Sequence, residues 1–132
     1  TLAGCCKPAP PEPIVGYTTQ GRGVSIHRAD CKVVTRLPDA RHSRLLHAAW
    51  GQAGDQVFAI DIEVLAHDRA GLLKDITEVF VQEKVNVVRV NTLSHDGEAR
   101  MEFTGEVRDI GQLSRCLGRL AHVRGVFQAR RK

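Results

Sequence analysis

Three thiols and one imidazole stand within the first 31 residues of this chain: Cys5, Cys6, His27 and Cys31. Thiolate sulfur and imidazole nitrogen are the donors that Zn²⁺ prefers, and four of them close a tetrahedral structural site. His27 and Cys31 are four apart, so on a helix their side chains would leave one face a turn apart. The adjacent pair is the oddity. Zinc ribbons space their cysteines by two residues, which lets the chain turn about the metal, whereas neighbouring cysteines reach one ion only through a contorted backbone. Three readings stay open: bound zinc, a metal-free cluster of small buried thiols beside a hydrogen-bonded histidine, and disulfide chemistry. Four cysteines in 132 residues, with Cys116 far from the rest, do not resemble a secreted disulfide framework. Cys116 falls on the apolar stripe of a helix and reads as core.

Charge points the same half of the chain toward an anion. Of the formal net charge of +4, all the excess lies in residues 1–50, where Lys7, Arg22, Arg28, Lys32, Arg36, Arg41 and Arg44 face only Glu12, Asp30 and Asp39. Residues 51–132 hold cations and acids in equal number. A compact basic module fits a polyanion, RNA first, and the competing reading is a basic face that merely keeps the protein in solution. Arg28, Lys32 and Arg36 recur at four-residue spacing, a stripe suited to a phosphate backbone. No signal peptide and no apolar run long enough for a membrane is evident, so the chain is expected to be cytoplasmic without a membrane partner. It starts at Thr1, which suggests a piece of a longer protein.

The elements that must position these residues fall into two groups. Lys7 to Pro13 is a stiff proline-rich opening. Ile14–Thr19 and Val24–Ile26 read as a hairpin around Gln20-Gly21-Arg22-Gly23. A short helix is expected from His27 to about Leu37, stopped by Pro38, then a strand from Leu45 to Trp50. This module, residues 1–51, is near the lower limit for folding alone, so a metal staple would help it. Gly51 to Gln56 reads as a polar hinge. Beyond it Val57–Ala66 alternates as a half-buried strand, with Asp61 and Glu63 on the polar face. Leu72, Leu73, Ile76, Val79 and Phe80 then recur at helical spacing to about Lys84. Val85–Leu93 and Ala99–Val107 flank an Asp96-Gly97 turn. Ile110 to Leu120 marks a second helix and Val123–Arg131 a last strand. The predicted class is α+β: a small Cys/His module, then a ferredoxin-like βαββαβ sandwich over residues 57–132.

Cys5-Cys6-Lys7-Pro8, Ile14-Val15-Gly16-Tyr17, Gly21-Arg22-Gly23-Val24 and the run from Ile26 to Cys31 resemble the carboxy-terminal part of the RelA/SpoT (Rel) family. Those are long stringent-response enzymes that make, and in some members hydrolyse, (p)ppGpp. Asp68-Arg69-Ala70-Gly71-Leu72-Leu73 and Leu113-Ser114-Arg115 resemble the ACT domain that ends them, so the likeness spans essentially the whole chain. One departure is Pro10-Pro11-Glu12, where the family has Pro-Gly-Asp.

The resemblance implies a zinc-finger-like first module that contacts ribosomal RNA when an uncharged tRNA is present, through Lys7, Arg22, Arg28, Lys32 and Arg36. It implies an ACT domain that either binds a small or branched-chain amino acid or pairs with another copy as a homodimer. The amino-acid site would lie at Asp68, Arg69, Ala70, Gly71 and Leu72, with Asn91 alongside. Neither a Gly-Lys-Ser/Thr phosphate loop nor a His/Asp metal cluster beside paired carboxylates occurs, so no catalysis is expected of this segment. Its expected role is to control distant synthetase or hydrolase domains.

Overall fold

Five half-buried residues and the buried Gly16 carry β1 (Ile14–Thr19) into a hairpin with β2 (Gly23–Arg28), paired antiparallel from Ile14 opposite Arg28 to Thr19 opposite Gly23. The turn is made by Gly21 and Gly23, both at positive φ (71° and 92°), a conformation that costs glycine nothing. This computed structural model describes residues 1–21, 23–51 and 56–132, so Arg22 and most of the expected hinge lie outside the described residues. The chain divides into two compact units, Thr1–Gln56 and Val57–Lys132.

In the first unit β3 (Leu45–His47) pairs antiparallel with the other edge of β1, giving the sheet order β2-β1-β3. The opening residues lie along the free edge of β2: the Ile26 amide donates to Thr1 O at 2.7 Å and the Ala3 amide to Ile26 O at 2.8 Å. Two expectations are corrected. No helix starts at His27, because β1 offers paired backbone as far as Arg28. Helix α1 is the single turn Lys32–Thr35, and the chain leaves it ahead of Pro38, which disfavours helical backbone at Leu37. The strand expected to reach Trp50 stops at His47, and the Trp50 indole N–H donates to Glu12 O at 2.8 Å. A 3₁₀ turn, Asp39–Arg44, has no buried residue and so left no apolar pattern.

The second unit follows the order β4 (Phe58–His67), α2 (Leu72–Gln82), β5 (Asn86–His95), β6 (Glu98–Val107), α3 (Ile110–Leu120), β7 (Val126–Arg131). Its sheet runs β5-β6-β4-β7 with every neighbouring pair antiparallel, the ferredoxin-like arrangement. The side chains of Ile60, Ile62 and Val64 are wholly buried together with Ile76 and Phe80 of α2 and Leu113, Cys116 and Leu120 of α3. The Phe80 and Phe103 rings meet with centroids 5.0 Å apart. Gly105 is needed where it stands, since a Cβ there would come within 2.7 Å of Val85. Burial pushes the Cys116 thiol up to about 12, in keeping with a packing role.

Glu63 departs from its expected solvent-facing place. Only 1% of it is exposed, because Arg130 donates to Oε1 at 2.9 Å and Arg100 to Oε2 at 3.0 Å from the flanking strands. Hydrogen bonding from Arg130 outweighs burial, with Arg100 adding to it, and holds the carboxyl below the usual range.

Candidate functional site

Three separate segments bring the sulfur and nitrogen atoms together. The Cys5-Cys6 pair rides a tight turn closed by the Lys7 amide donating to Ala3 O at 3.0 Å, with Lys7 at positive φ (43°). This turn is the contorted backbone that adjacent ligands require. His27 comes from β2 and Cys31 from the residue that begins α1, after a turn in which the Cys31 amide donates to Arg28 O at 3.0 Å. One ligand atom from each of Cys5, Cys6, His27 and Cys31 lies within 4.8 Å of all the others.

The spacings decide what such a cluster fits. Cys5 Sγ is 3.7 Å from Cys31 Sγ and 3.4 Å from His27 Nδ1, and Cys6 Sγ is 3.9 Å from the same nitrogen. Tetrahedral zinc with ordinary bond lengths sets sulfurs about 3.8 Å apart and sulfur about 3.6 Å from nitrogen. Disulfide bonding is a different matter: all four cysteines are free thiols.

The surroundings favour ligation as well. His27 Nε2 lies 3.0 Å from Ser25 Oγ, and a proton donated there leaves the Nδ1 lone pair facing the sulfurs. The Arg28 amide donates to Cys6 Sγ at 3.3 Å. Burial pushes the Cys6 thiol up to about 12 and raises Cys5, and it lowers His27. Burial also works on Cys31, but amides of Val33 and Val34 and the thiols of Cys5 and Cys6 overcome it and bring that thiol down. A group of three thiols and one imidazole so arranged can hold a metal ion.

The basic residues are arranged differently from the expected helical stripe. Arg28 is on a strand, and its guanidinium is held by Glu12 at 3.2 Å and Asp30 at 2.9 Å. Glu12 also accepts from the Ala9 amide at 3.0 Å, so this acid organises the turn after the cysteines. Lys32 and Arg36 keep their four-residue spacing on either end of α1, both exposed, and Lys7 is half-buried beside the cysteine turn. Arg41, exposed on the 3₁₀ turn, was not singled out by spacing, because only its position in a basic half marked it. Ser25, which meets His27 two positions on, and Glu12, which reaches Arg28 sixteen positions away, carried no motif that marked them.

The loop after β4 is tightly closed. Gly71 precedes α2 at φ 79°, and Leu72 is buried. The Arg69 guanidinium is tied down within the unit: it donates to Arg124 O at 2.9 Å, to Ala70 O at 3.1 Å and to Asp75 Oδ2 at 2.7 Å. Asp68 and Ala70 are exposed there. Asn91 does not join them. It pairs with Glu102, which pairs with Glu63, four positions along β4 from His67 and about 13 Å at strand rise.

Comparison with known proteins covers both units. A family model described as the RelA/SpoT RIS domain matches residues 1–51, and one described as the ACT domain matches residues 54–131. The chain is 41% identical over 132 residues to the GTP pyrophosphokinase of Escherichia coli (strain K12), covering 98% of this chain and 18% of that protein. It is 37% identical over 131 residues to the bifunctional (p)ppGpp synthase/hydrolase RelA of Mycobacterium tuberculosis, again with 98% and 18% covered. The chain thus spans under a fifth of the length of these relatives. The crystal structure of the ACT domain from the GTP pyrophosphokinase of Chlorobium tepidum superposes with a TM-score of 0.54 at 23% identity, over 58% of this chain and all of that one. Among the described residues no helix is long and apolar enough to cross a membrane.

Proposed function

Because the chain belongs to the RelA/SpoT (Rel) family, as an ACT-bearing regulatory region and not a catalytic domain, we propose that it is the part of a stringent-response GTP pyrophosphokinase that contacts ribosomal RNA and deacylated tRNA and governs (p)ppGpp synthesis or hydrolysis elsewhere in the protein. In this reading residues 1–51 are a zinc-finger-like module in which Cys5, Cys6, His27 and Cys31 hold a structural Zn²⁺. The ion supplies a cross-link between three chain segments and takes no part in a reaction. The supporting observation is the convergence of those four donors within 4.8 Å, with Cys5–His27, Cys5–Cys31 and Cys6–His27 at 3.4, 3.7 and 3.9 Å. Around that centre, Lys32, Arg36 and Arg41 are exposed with no described ion pair, and such residues give affinity and positioning on a phosphate backbone more than base selection.

Ribosome binding of the zinc-loaded chain tests this. Affinity is expected to fall steeply with salt, with a slope of about 0.7–0.9 per phosphate neutralised. Charge reversal by Lys32→Glu and Arg36→Glu should lower that slope by about one for each lost contact. Binding that ignores both salt and these reversals overturns the reading.

A second role, pairing of ACT units between copies, is supported by β5. It is a ten-residue edge strand exposed along nearly its whole length, with Val88, Val90 and Leu93 uncovered. Amino-acid binding at residues 68–72 would require the ligand to displace the Arg69 guanidinium from its present acceptors.

A further inference from the structure

A cavity of about 310 Å³ lies between the end of α2 and the start of α3, remote in sequence from both the cysteine cluster and the loop after β4. Glu83, Lys84, Arg108, Asp109, Gln112 and Arg115 line it. We propose that this cavity binds a small oligophosphate anion, such as pyrophosphate or the polyphosphate group of a nucleotide.

Charge is the first argument. The acids in the lining are committed: Glu83 pairs with Arg119 at 3.2 Å, and Asp109 caps α3 by accepting from the Gln112 amide at 2.8 Å. The side chains of Lys84, Arg108 and Arg115 have no hydrogen bond or ion pair to any described residue. Three free cations therefore face two carboxylates that are both already in use. Guanidinium forks match phosphate oxygens in pairs, and an ammonium adds a point charge beside them.

Preorganisation is the second. Gln112 is 4% exposed and fastens three walls of the cavity. Its Nε2 donates to Glu83 O at 2.9 Å and Lys84 O at 3.3 Å, and its Oε1 accepts from the Arg108 amide at 2.7 Å. Lys84 closes α2 in the left-handed region at φ 61°, with the Val85 amide reaching back to Phe80 O at 2.9 Å. Glycine is the usual residue at such a helix end. A lysine held there, exposed and unpaired, has no packing reason to replace it, and backbone outliers of this kind gather at binding sites.

Size and lining set the ligand class. The volume is at the lower end of the roughly 300–1,000 Å³ of small-molecule sites. No aromatic side chain lines the cavity, so nothing offers a stacking surface for a base. Recognition rests on the phosphates.

The test is a titration of the ¹⁵N-labelled chain with sodium pyrophosphate. Saturable shifts are expected at the amides of Lys84, Gln112 and Arg115. Lys84→Gly should weaken binding at least about 10-fold while the second unit melts no lower, because glycine relieves the left-handed backbone. Arg115→Ala should weaken binding similarly, and ATP and GTP should bind within about threefold of pyrophosphate. Absence of saturation at about 10 mM, or undiminished affinity in Lys84→Gly, overturns the proposal. So does a short RNA oligonucleotide that occupies the cavity more tightly than pyrophosphate, since it moves the assignment to a polynucleotide.

Discussion

In the first unit the buried apolar residues among those described, prolines aside, are Ala3, Ala9, Cys31 and Val34, whereas in the second they run from Phe58 through Ile60, Phe80 and Phe103 to Leu120. The second unit therefore has what a two-layer sandwich needs: one sheet face and two helix stripes that bury each other. The first has a three-stranded sheet with little apolar side chain to cover it, and its best-buried polar residue, His27, is a member of the cysteine cluster. Burial of an imidazole and crowding of thiols both cost free energy unless something binds them. On the proposed reading the contrast teaches that the two units obtain the same result from different sources, a hydrophobic core in one and zinc coordination in the other.

The largest expected effect comes from removing that coordination. Apparent binding of structural zinc is worth about 10–16 kcal/mol near neutral pH, more than so thin a core can supply. Trp50 is the sole tryptophan and its indole hydrogen-bonds to Glu12, so its emission follows the fold of the first unit. Chelation, or Cys31→Ala, should shift Trp50 emission to the red while amide dispersion of the second unit persists. An unchanged Trp50 signal in metal-free protein would instead favour thiols packed as small hydrophobes, and the contrast between the units would collapse. The reciprocal experiment is Phe103→Ala. It removes a ring 1% exposed and packed at a tilt against Phe80, and should cost about 3–5 kcal/mol in denaturant melts of the second unit. Trp50 should not register it. A single transition seen by both probes would show that the units are not separately stabilised.

Legibility in the sequence follows the same division. The second unit was readable because its strands alternate and its helices repeat at 3.6, both consequences of burying one face, and because Asp96-Gly97 needs positive φ, here 51° and 79°. In the first unit the donor types were readable, since few residues bind zinc, but the frame carrying them was not. A spacing of four between His27 and Cys31 suits a helix and suits equally a strand end, a turn and a helix start. Nothing in Thr1–Ala3 announces that it will pair with β2, and a 3₁₀ turn without buried residues has no period. Arg28 was placed in a phosphate-facing stripe, but Asp30, two positions on, and Glu12, 16 positions back, hold its guanidinium. Asn91 was placed by strand number alone, and the register carried it away from the loop.

Glu63 offers the smallest and sharpest test, because among the described residues of the core-based unit it is the charged one that is buried. An acid at an outward strand position reads as solvated, and only the register, which sets Arg130 opposite it and Arg100 across β6, reveals the burial. The arginine side chains remain 57% and 55% exposed while that of Glu63 is 2% exposed. Glu63→Gln therefore releases two guanidiniums to water and strands no buried charge, so its cost should be about 1–3 kcal/mol, below that of Phe103→Ala. The folded carboxyl titrates below its ordinary value of 4.5, held down first by Arg130. Its contribution is thus complete above that value and is lost as pH falls through the lower folded one. Melts of the second unit at stepped pH should show wild-type stability converging on that of Glu63→Gln under acid conditions. Parallel curves down to the lowest pH would mean that the two arginines do not stabilise the ionised carboxylate, and that the second unit stands on its apolar core alone.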